Sequence, residues 1–166
     1  MTDNPWQGKR VMITGVCGTV GGELLRQILA LDVAEVVGID VNEAEIYYLR
    51  QRMPENVHHY VCNVRDRDRL FLRAEGAQII MHAAAYKNAP VCEDSPYETV
   101  QNNIIGTQTV SNLANEYGVS RFLMISTDKA VRPASVYGAG KRISELQLVQ
   151  LSRNSATVFV TVRFGN

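Results

Sequence analysis

The sequence is poor in cysteine, carries no net charge and contains no long hydrophobic run. Its three cysteines, Cys17, Cys62 and Cys92, are odd in number and lack metal-ligand spacing, so we expect neither a disulfide framework nor a metal site. Its 17 basic and 17 acidic residues balance, which leaves no bulk field to attract nucleic acid or an anionic membrane. No apolar stretch approaches a membrane-spanning helix, and the N-terminus has no apolar signal core. These absences predict a cytoplasmic protein with no metal, nucleic-acid or membrane partner.

What the sequence does contain is a regular alternation of strands and helices. Six segments are typical of strands: Arg10–Thr14, Ala34–Asp40, His58–Cys62, Gln78–His82, Arg121–Ser126 and Thr157–Arg163. Several are apolar throughout rather than alternating, which is typical of parallel strands covered on both faces. We therefore predict one α/β domain over residues 1–166, a doubly wound parallel sheet (Rossmann fold) with strand order 3-2-1-4-5-6.

Helical periodicity fills the segments between these strands. The predicted helices are Val20–Leu31, Glu43–Met53, Arg67–Glu75, Pro96–Tyr117 and Val136–Leu151. Ser95 to Glu98 has the pattern of a capping box with proline at the first helical position, and Gly118 is expected to end that helix. Asn42 is expected to cap the second helix.

A glycine-rich loop follows the first strand and opens the first helix, which is the context that a dinucleotide fingerprint requires. Gly15, Gly18 and Gly21 have the spacing GxxGxxG. The first allows a tight turn, the second lets the backbone approach a pyrophosphate, and the third permits close packing. The backbone N–H groups of Thr19 and Val20, at the helix N-terminus, are expected to contact the phosphates.

An acidic residue, Asp40, ends the second strand, where a carboxylate can accept both hydroxyls of the adenosine ribose and repel a 2′-phosphate. No basic residue follows until Arg50, so we predict NAD as the cofactor rather than NADP. The alternative is that Asp40 caps the second helix, for which Asn42 is the better placed residue.

Further candidates for the cofactor groove lie at the ends of the third and fourth strands. They are Asn63, Val64, Ala83, Ala84, Ala85 and Lys87. Small residues after the fourth strand leave room for a cofactor where strands one and four diverge. Asn63 either bonds the adenine edge or is a turn residue, and Lys87 either reaches cofactor or substrate or is solvated. We expect His82 to be a hydrogen-bonded residue at the edge of the core and Asn103 to give structural support.

A polar cluster at the end of the fifth strand holds groups suited to acid–base chemistry. Thr127, Asp128 and Lys129 follow the strand directly, and Tyr137 and Lys141 fall in the next helix. Because residues at i and i+4 share a helix face, the phenol and the ammonium should point the same way. The alternative is a polar turn and a helix whose Tyr and Lys only cover surface.

Two glycines within that helix favour the catalytic interpretation. Gly138 and Gly140 each cost about 1 kcal/mol of helix stability relative to alanine. Close approach of another element or of a ligand would explain why the helix tolerates them.

Five motifs in succession resemble one family. They are TGVCGTVG, HAAAYKNAP, NNIIGTQ, ISTDKAVRPASVYGAGKR and VRFGN. Together they resemble the extended short-chain dehydrogenase/reductases, and within these the nucleotide-sugar 4,6-dehydratases of the capsular polysaccharide biosynthesis type, which act on UDP-N-acetylglucosamine or close relatives. The similarity runs from about Lys9 to Asn166, and its most specific part is the short spacing between STDKA and YxxxK.

The resemblance implies an NAD-dependent lyase and suggests a role for each polar group. Tyr137 would take the proton of the sugar 4-hydroxyl, and Thr127 would bond the 4-oxygen. A free phenol, with a pKa of about 10, is a poor base at neutral pH, so the positive charge of Lys141 would favour phenolate while its amine bonds the nicotinamide ribose. Lys129 would be the base at C5, and Asp128 the acid for the departing 6-hydroxyl.

The resemblance also bears on what surrounds the catalytic groups. Lys87 and Asn166 would contact the nucleotide sugar, and the two long helices would form a homo-oligomer. Members of the family continue with a smaller C-terminal lobe that holds the substrate and is absent here, so we expect the isolated chain to bind NAD but to turn over slowly or not at all. Two alternatives to the dehydratase stay open: a nucleotide-sugar 4-epimerase, and a non-catalytic module for NAD binding and dimerisation.

Overall fold

Six parallel strands form one sheet in the order β3-β2-β1-β4-β5-β6, as predicted. The computed structural model describes residues 4–165, so the predicted substrate contact Asn166 lies outside the described residues. The strands are β1 (Arg10–Thr14), β2 (Glu35–Asp40), β3 (Val57–Val61), β4 (Ile79–His82), β5 (Arg121–Thr127) and β6 (Val158–Phe164). Each observed boundary falls within one residue of its predicted position.

Helices cover both faces of the sheet. They are α1 (Thr19–Leu29), α2 (Glu43–Arg52), α3 (Arg67–Ala74), α4 (Ala89–Asp94), α5 (Pro96–Thr99), α6 (Gly106–Glu116) and α7 (Val136–Ser152). Hydrophobic residues of α3, α6 and α7 pack on one face of the sheet, and those of α1 and α2 pack on the other. In β1, Met12 points to the first face, and Val11 and Ile13 point to the second, all fully buried. Burial on both sides explains why this strand is apolar throughout.

The long helix predicted over Pro96–Tyr117 is interrupted in the structure. A π-helical turn, Val100–Ile105, joins α5 to α6, and the short helix α4 precedes them. A π-turn changes only which carbonyl each N–H group meets, so hydrophobic spacing does not report it. The predicted capping box is wrong in detail, since Ser95 precedes α5 but its side chain makes no capping bond. Asn42 caps α2 as predicted, accepting a bond from the Glu45 N–H at 3.2 Å.

One strand departs from the expectation that both faces are covered. β6 is an edge strand, and Val158, Val160, Val162 and Phe164 are exposed along it. In contrast, the two central strands β1 and β4 run side by side, with Thr14 paired to His82 at their carboxyl ends. The chain leaves these two strands toward opposite faces of the sheet, which opens a crevice above that pair.

Candidate active site

The glycine loop is shaped by close contacts between backbone segments. Gly15 has a φ of +72°, and a Cβ there would lie 2.6 Å from the Ala84 nitrogen. A Cβ on Gly21 would overlap the carbonyl oxygen of Gly15. Only glycine therefore allows β1, the loop and α1 to come this close, as the spacing predicts.

The N-terminus of α1 opens into a groove of about 300 Å³. Gly18 is the N-cap residue, and no side chain among the described residues caps this helix. Its first N–H groups, which include those of Thr19 and Val20, therefore remain available to an anion in the groove. The donors and the bare glycine backbone fit the pyrophosphate of a dinucleotide.

Asp40 lies at the far end of this groove from β4, held by backbone donors. Its Oδ1 accepts bonds from Val41 N at 2.8 Å and Asn42 N at 3.0 Å, while Oδ2 accepts one from Cys17 N at 3.0 Å. The carboxylate is thus fixed between β2 and the glycine loop, and it raises the pKa of the Cys17 thiol, already raised by burial, to about 12. The nearby Cys17 is therefore an unreactive, protonated thiol.

Most of the predicted groove residues line the groove together. These are Gly15, Gly18, Thr19, Val20, Gly21, Asp40, Val64, Ala83, Ala84, Ala85 and Lys87. Asn63 is not among the lining residues, because its Oδ1 accepts bonds from the backbone and side chain of Arg65 at 2.9 and 3.2 Å. This arrangement is the turn that the sequence left open as the alternative.

A second cavity is lined by the phenol and amines that the sequence predicts to be catalytic, and we call it the catalytic crevice. It measures about 320 Å³ and is lined by Thr127, Lys129, Tyr137 and Lys141, together with the tip of β6. Val20, Ala83, Ala85 and Lys87 line both cavities, so the crevice and the groove are continuous. Asp128 lines neither cavity, but contacts Thr127 and Lys129, which do.

Tyr137 and Lys141 are placed by the first two turns of α7. Ser135 caps this helix by accepting a bond from Gly138 N at 3.1 Å, and Glu93 of α4 accepts one from Val136 N at 2.6 Å. Lys141 is 3% exposed and its Nζ donates to the Ile125 carbonyl of β5 at 2.8 Å. The helix face predicted from the four-residue spacing therefore does point at β5.

The ionisation of these two residues differs from the simple expectation. Burial raises the pKa of Tyr137, and the effects that lower it come from a hydrogen bond with Thr127 and the charge of Lys129. Burial lowers the pKa of Lys141 to about 8, against an opposing effect of Glu145. The charge acting on the phenol thus comes from Lys129, whereas Lys141 was expected to supply it.

The Thr127-Asp128-Lys129 turn is a hydrogen-bonded unit. Thr127 Oγ1 donates to Asp128 Oδ1 at 2.9 Å, and Lys129 Nζ lies 3.4 Å from the same oxygen. The Thr127 bond, with a smaller contribution from Lys129, lowers the pKa of the Asp128 carboxyl. Asp128 is consequently a charged carboxylate beside an amine at neutral pH.

Beneath the crevice, His82 is a hydrogen-bonded core residue as expected. Its Nδ1 lies 2.7 Å from Thr14 Oγ1, and its Nε2 lies 2.9 Å from Thr107 Oγ1. Because the Thr107 hydroxyl donates to the Asn103 carbonyl at 2.6 Å, Nε2 must carry the imidazole proton and Nδ1 must accept. Burial and the Lys141 charge lower the His82 pKa to about 3, so the ring is neutral.

Asn103 lies in the π-helical turn and gives the structural support that was expected. Its side chain accepts a bond from Tyr86 N and donates one to Tyr86 O, both at 2.8 Å. Its carbonyl also accepts a bond from the Ser144 hydroxyl of α7 at 2.8 Å. Asn103 therefore fixes the segment after β4, which forms one wall of the groove, relative to the catalytic helix.

Sequence reasoning missed a buried carboxylate behind the crevice. Glu145 accepts bonds from Ser126 of β5, Arg163 of β6 and Arg142 of its own helix. The sequence spacing could have indicated this residue, because Glu145 follows Lys141 by four residues and therefore shares its helix face.

The chain is similar in sequence to several known proteins. The chain is 40% identical over 171 aligned residues to a probable polysaccharide biosynthesis protein, EpsC, of Bacillus subtilis, covering 98% of this chain and 29% of that protein. It is 31% identical to an inverting UDP-N-acetylglucosamine 4,6-dehydratase of Campylobacter jejuni, covering 97% of this chain and 50% of that protein. Its relatives also include UDP-glucose 4-epimerases.

Among solved structures, the X-ray structure of Pen from Bacillus thuringiensis is similar to this fold. The TM-score is 0.93 at 31% identity, covering 98% of this chain and 51% of that one. The chain thus spans half or less of the length of the curated relatives described above.

The sequence profile of one family, described as polysaccharide biosynthesis protein, matches residues 11–166. That match includes the glycine loop, the polar turn after β5 and the face of α7 that carries Tyr137 and Lys141. The chain belongs to this polysaccharide biosynthesis protein family.

Proposed function

We propose that this chain carries the cofactor site and the catalytic groups of an NAD-dependent nucleotide-sugar 4,6-dehydratase. Its substrate would be a UDP-N-acetylhexosamine, converted to the 4-keto-6-deoxy sugar for surface polysaccharide or glycan synthesis in the cytoplasm. The supporting observation is that a crevice holding Tyr137, Lys141, Thr127 and Lys129 opens directly into a dinucleotide-shaped groove. Similarity to the Campylobacter dehydratase supports the same reaction.

The groove fits NAD through its anion-binding backbone and its fixed carboxylate. The N-terminus of α1 would hold the pyrophosphate, and Asp40 would accept the ribose hydroxyls. NAD would supply this site with a hydride acceptor for the sugar C4 and, once reduced, with a hydride donor for C6. Lys141, which lines the adjoining crevice, would bond the nicotinamide ribose.

In the first step, Tyr137 removes the proton of the 4-hydroxyl while the C4 hydride leaves. Thr127, which hydrogen-bonds the phenol, would orient the 4-oxygen, and the Lys129 charge favours the phenolate. Closure of the crevice around substrate would strengthen these interactions by excluding water. The product of this step is a 4-ketone, which makes the C5 proton acidic.

In the second step, Asp128 and Lys129 act as a pair. One proton transfer from the Lys129 ammonium to the Asp128 carboxylate, 3.4 Å away, creates a neutral amine and a carboxylic acid together. Desolvation by a bound substrate favours this neutral pair over the ion pair. The amine then removes the C5 proton, and the acid protonates the departing 6-hydroxyl, which leaves as water.

An epimerase would use the first step but not the second. Epimerisation needs Tyr137 and the cofactor, but it includes no step that requires the Asp128–Lys129 pair. The lysine of that pair lines the crevice, which favours elimination over epimerisation. A module that only binds NAD would leave both the pair and the phenol without a role.

Incubation with NAD and UDP-N-acetylglucosamine in deuterated water separates these functions. A dehydratase yields a product lighter by one water and carrying solvent deuterium at C5, because the C5 proton is exchanged. An epimerase yields an isomer of unchanged mass without deuterium, and a binding module yields no product. An isomer of unchanged mass without deuterium would overturn the dehydratase proposal.

We further propose that a separate substrate lobe completes the enzyme. The dehydratase and Pen are about twice as long as this chain, which is consistent with a second unit that holds the nucleotide sugar. Remote binding energy positions substrates, so the isolated chain should bind NAD with a normal affinity and turn over slowly. Within residues 4–165, no helix has the length and apolarity needed to cross a membrane.

The carboxylate of Asp40 should determine the preference for NAD. In Asp40→Asn, the amide keeps the shape but loses the charge that repels a 2′-phosphate, so the ratio of NADP to NAD dissociation constants should fall about tenfold to a hundredfold. Calorimetric titration of both cofactors measures this ratio. Asp68→Asn, in the first turn of α3, should leave it unchanged. An unchanged ratio in the Asp40 variant would assign the selectivity elsewhere.

The exposed faces of α6 and α7 are proposed as a homodimer interface. Ile143 and Leu146 are 45% and 50% exposed and line a groove of about 550 Å³ between these helices. Apolar side chains of this size in one surface groove are typical of subunit contacts. Leu146→Glu should convert a dimer to a monomer in sedimentation velocity, while the exposed Leu72→Glu on α3 should not. A wild-type protein that sediments as a monomer at high concentration would contradict the interface.

A further inference from the structure

A buried ion-pair cluster lies behind the catalytic crevice, one helical turn beyond Lys141. Glu145 is 4% exposed, and its carboxylate accepts bonds from Ser126 Oγ at 2.7 Å and from Arg142 Nη1 at 3.0 Å. Arg163 donates to it through Nε at 2.8 Å and Nη2 at 2.7 Å. This one carboxylate therefore joins β5, β6 and α7.

The bonds between α7 and β5 follow a regular register. Tyr137, Lys141 and Glu145 are four residues apart and share one helix face. Lys141 donates to the carbonyl of Ile125, and Glu145 accepts from the hydroxyl of the next strand residue, Ser126. The next strand residue, Thr127, begins the Thr127-Asp128-Lys129 turn. The hydrogen bond between Ser126 and Glu145 therefore lies one residue before that turn.

We propose that Glu145 is a positioning residue of the reaction centre, which fixes α7 against β5 and supplies the counter-charge of the Lys141 ammonium. The inference rests on the proposed function for the role of Lys141. Glu145 does not line the catalytic crevice, so it acts through Lys141 and Ser126 and touches no substrate. A buried ammonium needs a negative partner, because it has lost its hydration.

The charges around Lys141 are consistent with this role. Burial lowers the pKa of Lys141 to about 8, and the Glu145 carboxylate acts against that decrease. Glu145 itself stays ionised, since chiefly the Arg163 bonds lower its pKa to about 2. The titratable or charged groups that the neighbouring elements bring toward this helix face are His82 of β4, Arg163 of β6, Asp128 and Lys129 of the polar turn, Cys92 and Glu93 of α4, and Tyr137 and Arg142 of α7.

The effect of Glu145 on Lys141 can be measured without turnover. The chain has only four lysines, Lys9, Lys87, Lys129 and Lys141, so selective ¹³C labelling of lysine gives four side-chain signals that can be titrated by NMR. Loss of one signal in Lys141→Arg assigns it. We expect that signal to titrate near pH 8 in the unmodified chain and about one pH unit lower in Glu145→Gln, because one carboxylate charge is lost.

A matched variant separates charge from packing. Ser126→Ala removes one hydrogen bond to Glu145 but leaves the carboxylate in place, so the Lys141 titration should not move. In the active enzyme, the alkaline loss of hydride transfer should shift to lower pH in Glu145→Gln and keep its position in Ser126→Ala. Glu145→Asp, which restores the charge, should recover part of the shift.

Three results would overturn the proposal. One is an unchanged Lys141 titration in Glu145→Gln, and another is an equal shift in Ser126→Ala. The third is a Lys141 titration that moves to higher pH in Glu145→Gln, because loss of a counter-charge must make the ammonium easier to deprotonate. Absence of dehydratase product would contradict the proposed function alone, because the titration does not depend on it.

Discussion

Replacement of Tyr137 by phenylalanine should lower the rate of hydride transfer about 10²–10⁴-fold, the range typical of losing a general base. The variant keeps the ring that lines the crevice and removes only the oxygen that we propose accepts the 4-hydroxyl proton. NAD affinity should stay the same, because the contacts proposed for the pyrophosphate and the adenosine ribose lie on α1 and β2, and the contact proposed for the nicotinamide ribose is made by Lys141. A fall in rate without a fall in binding is the signature of an interaction made in the transition state.

Single-turnover mixing of the NAD complex with UDP-N-acetylglucosamine measures this rate through NADH absorbance. Tyr97→Phe is the matched control, since Tyr97 is 70% exposed on α5, away from both cavities. A Tyr137→Phe variant that transfers hydride within tenfold of the wild-type rate would remove the phenol from the mechanism.

Two glycines two residues apart on α7 should respond in opposite ways to substitution by alanine. A Cβ on Gly138 would overlap the carbonyl oxygen of Lys129, whereas one on Gly140 would meet Ile104 and Asn103 at 3.9 and 4.0 Å, which is ordinary contact. Gly138→Ala should therefore destabilise the fold by about 1–3 kcal/mol and displace the catalytic turn. Gly140→Ala should increase stability by up to about 1 kcal/mol, as alanine favours helix.

Urea unfolding of the two variants tests this contrast in one experiment. Hydride transfer should be lost in Gly138→Ala even where the protein is still folded, because the Lys129 carbonyl and its side chain move together. It should persist in Gly140→Ala. Equal stability of the two variants would show that the contact between α7 and the turn is not as close as described.

The sheet and its order were predictable because they follow from strong signals. The apolar runs of β1 and β5 and the helices between strands permit few topologies, and the glycine loop marks where β1 enters α1. The order 3-2-1-4-5-6 is confirmed. The polar face of α7 was predictable for a similar reason. Residues four apart lie on the same face of a helix however that helix packs.

The features that the sequence did not predict depend on individual hydrogen bonds and on local packing. The six residues of α4 contain Pro90 and have too few turns to show a period. The π-helical turn differs from an α-helix only in its bonding partners. The bond between Arg65 and Asn63 decides which way the amide points, and the burial of Lys141 decides which lysine acts on the phenol. Such outcomes depend on distances that composition and spacing do not contain.

The neutral imidazole beneath the crevice has a consequence for cells whose interior becomes acidic. His82 keeps one tautomer down to about pH 3, so it does not gain a proton as the interior acidifies within the range that cells survive. Thr14, which it holds, keeps its orientation, and with it the turn at the start of the glycine loop. The first turn of the glycine loop should therefore keep its geometry in acidic solution down to about pH 3.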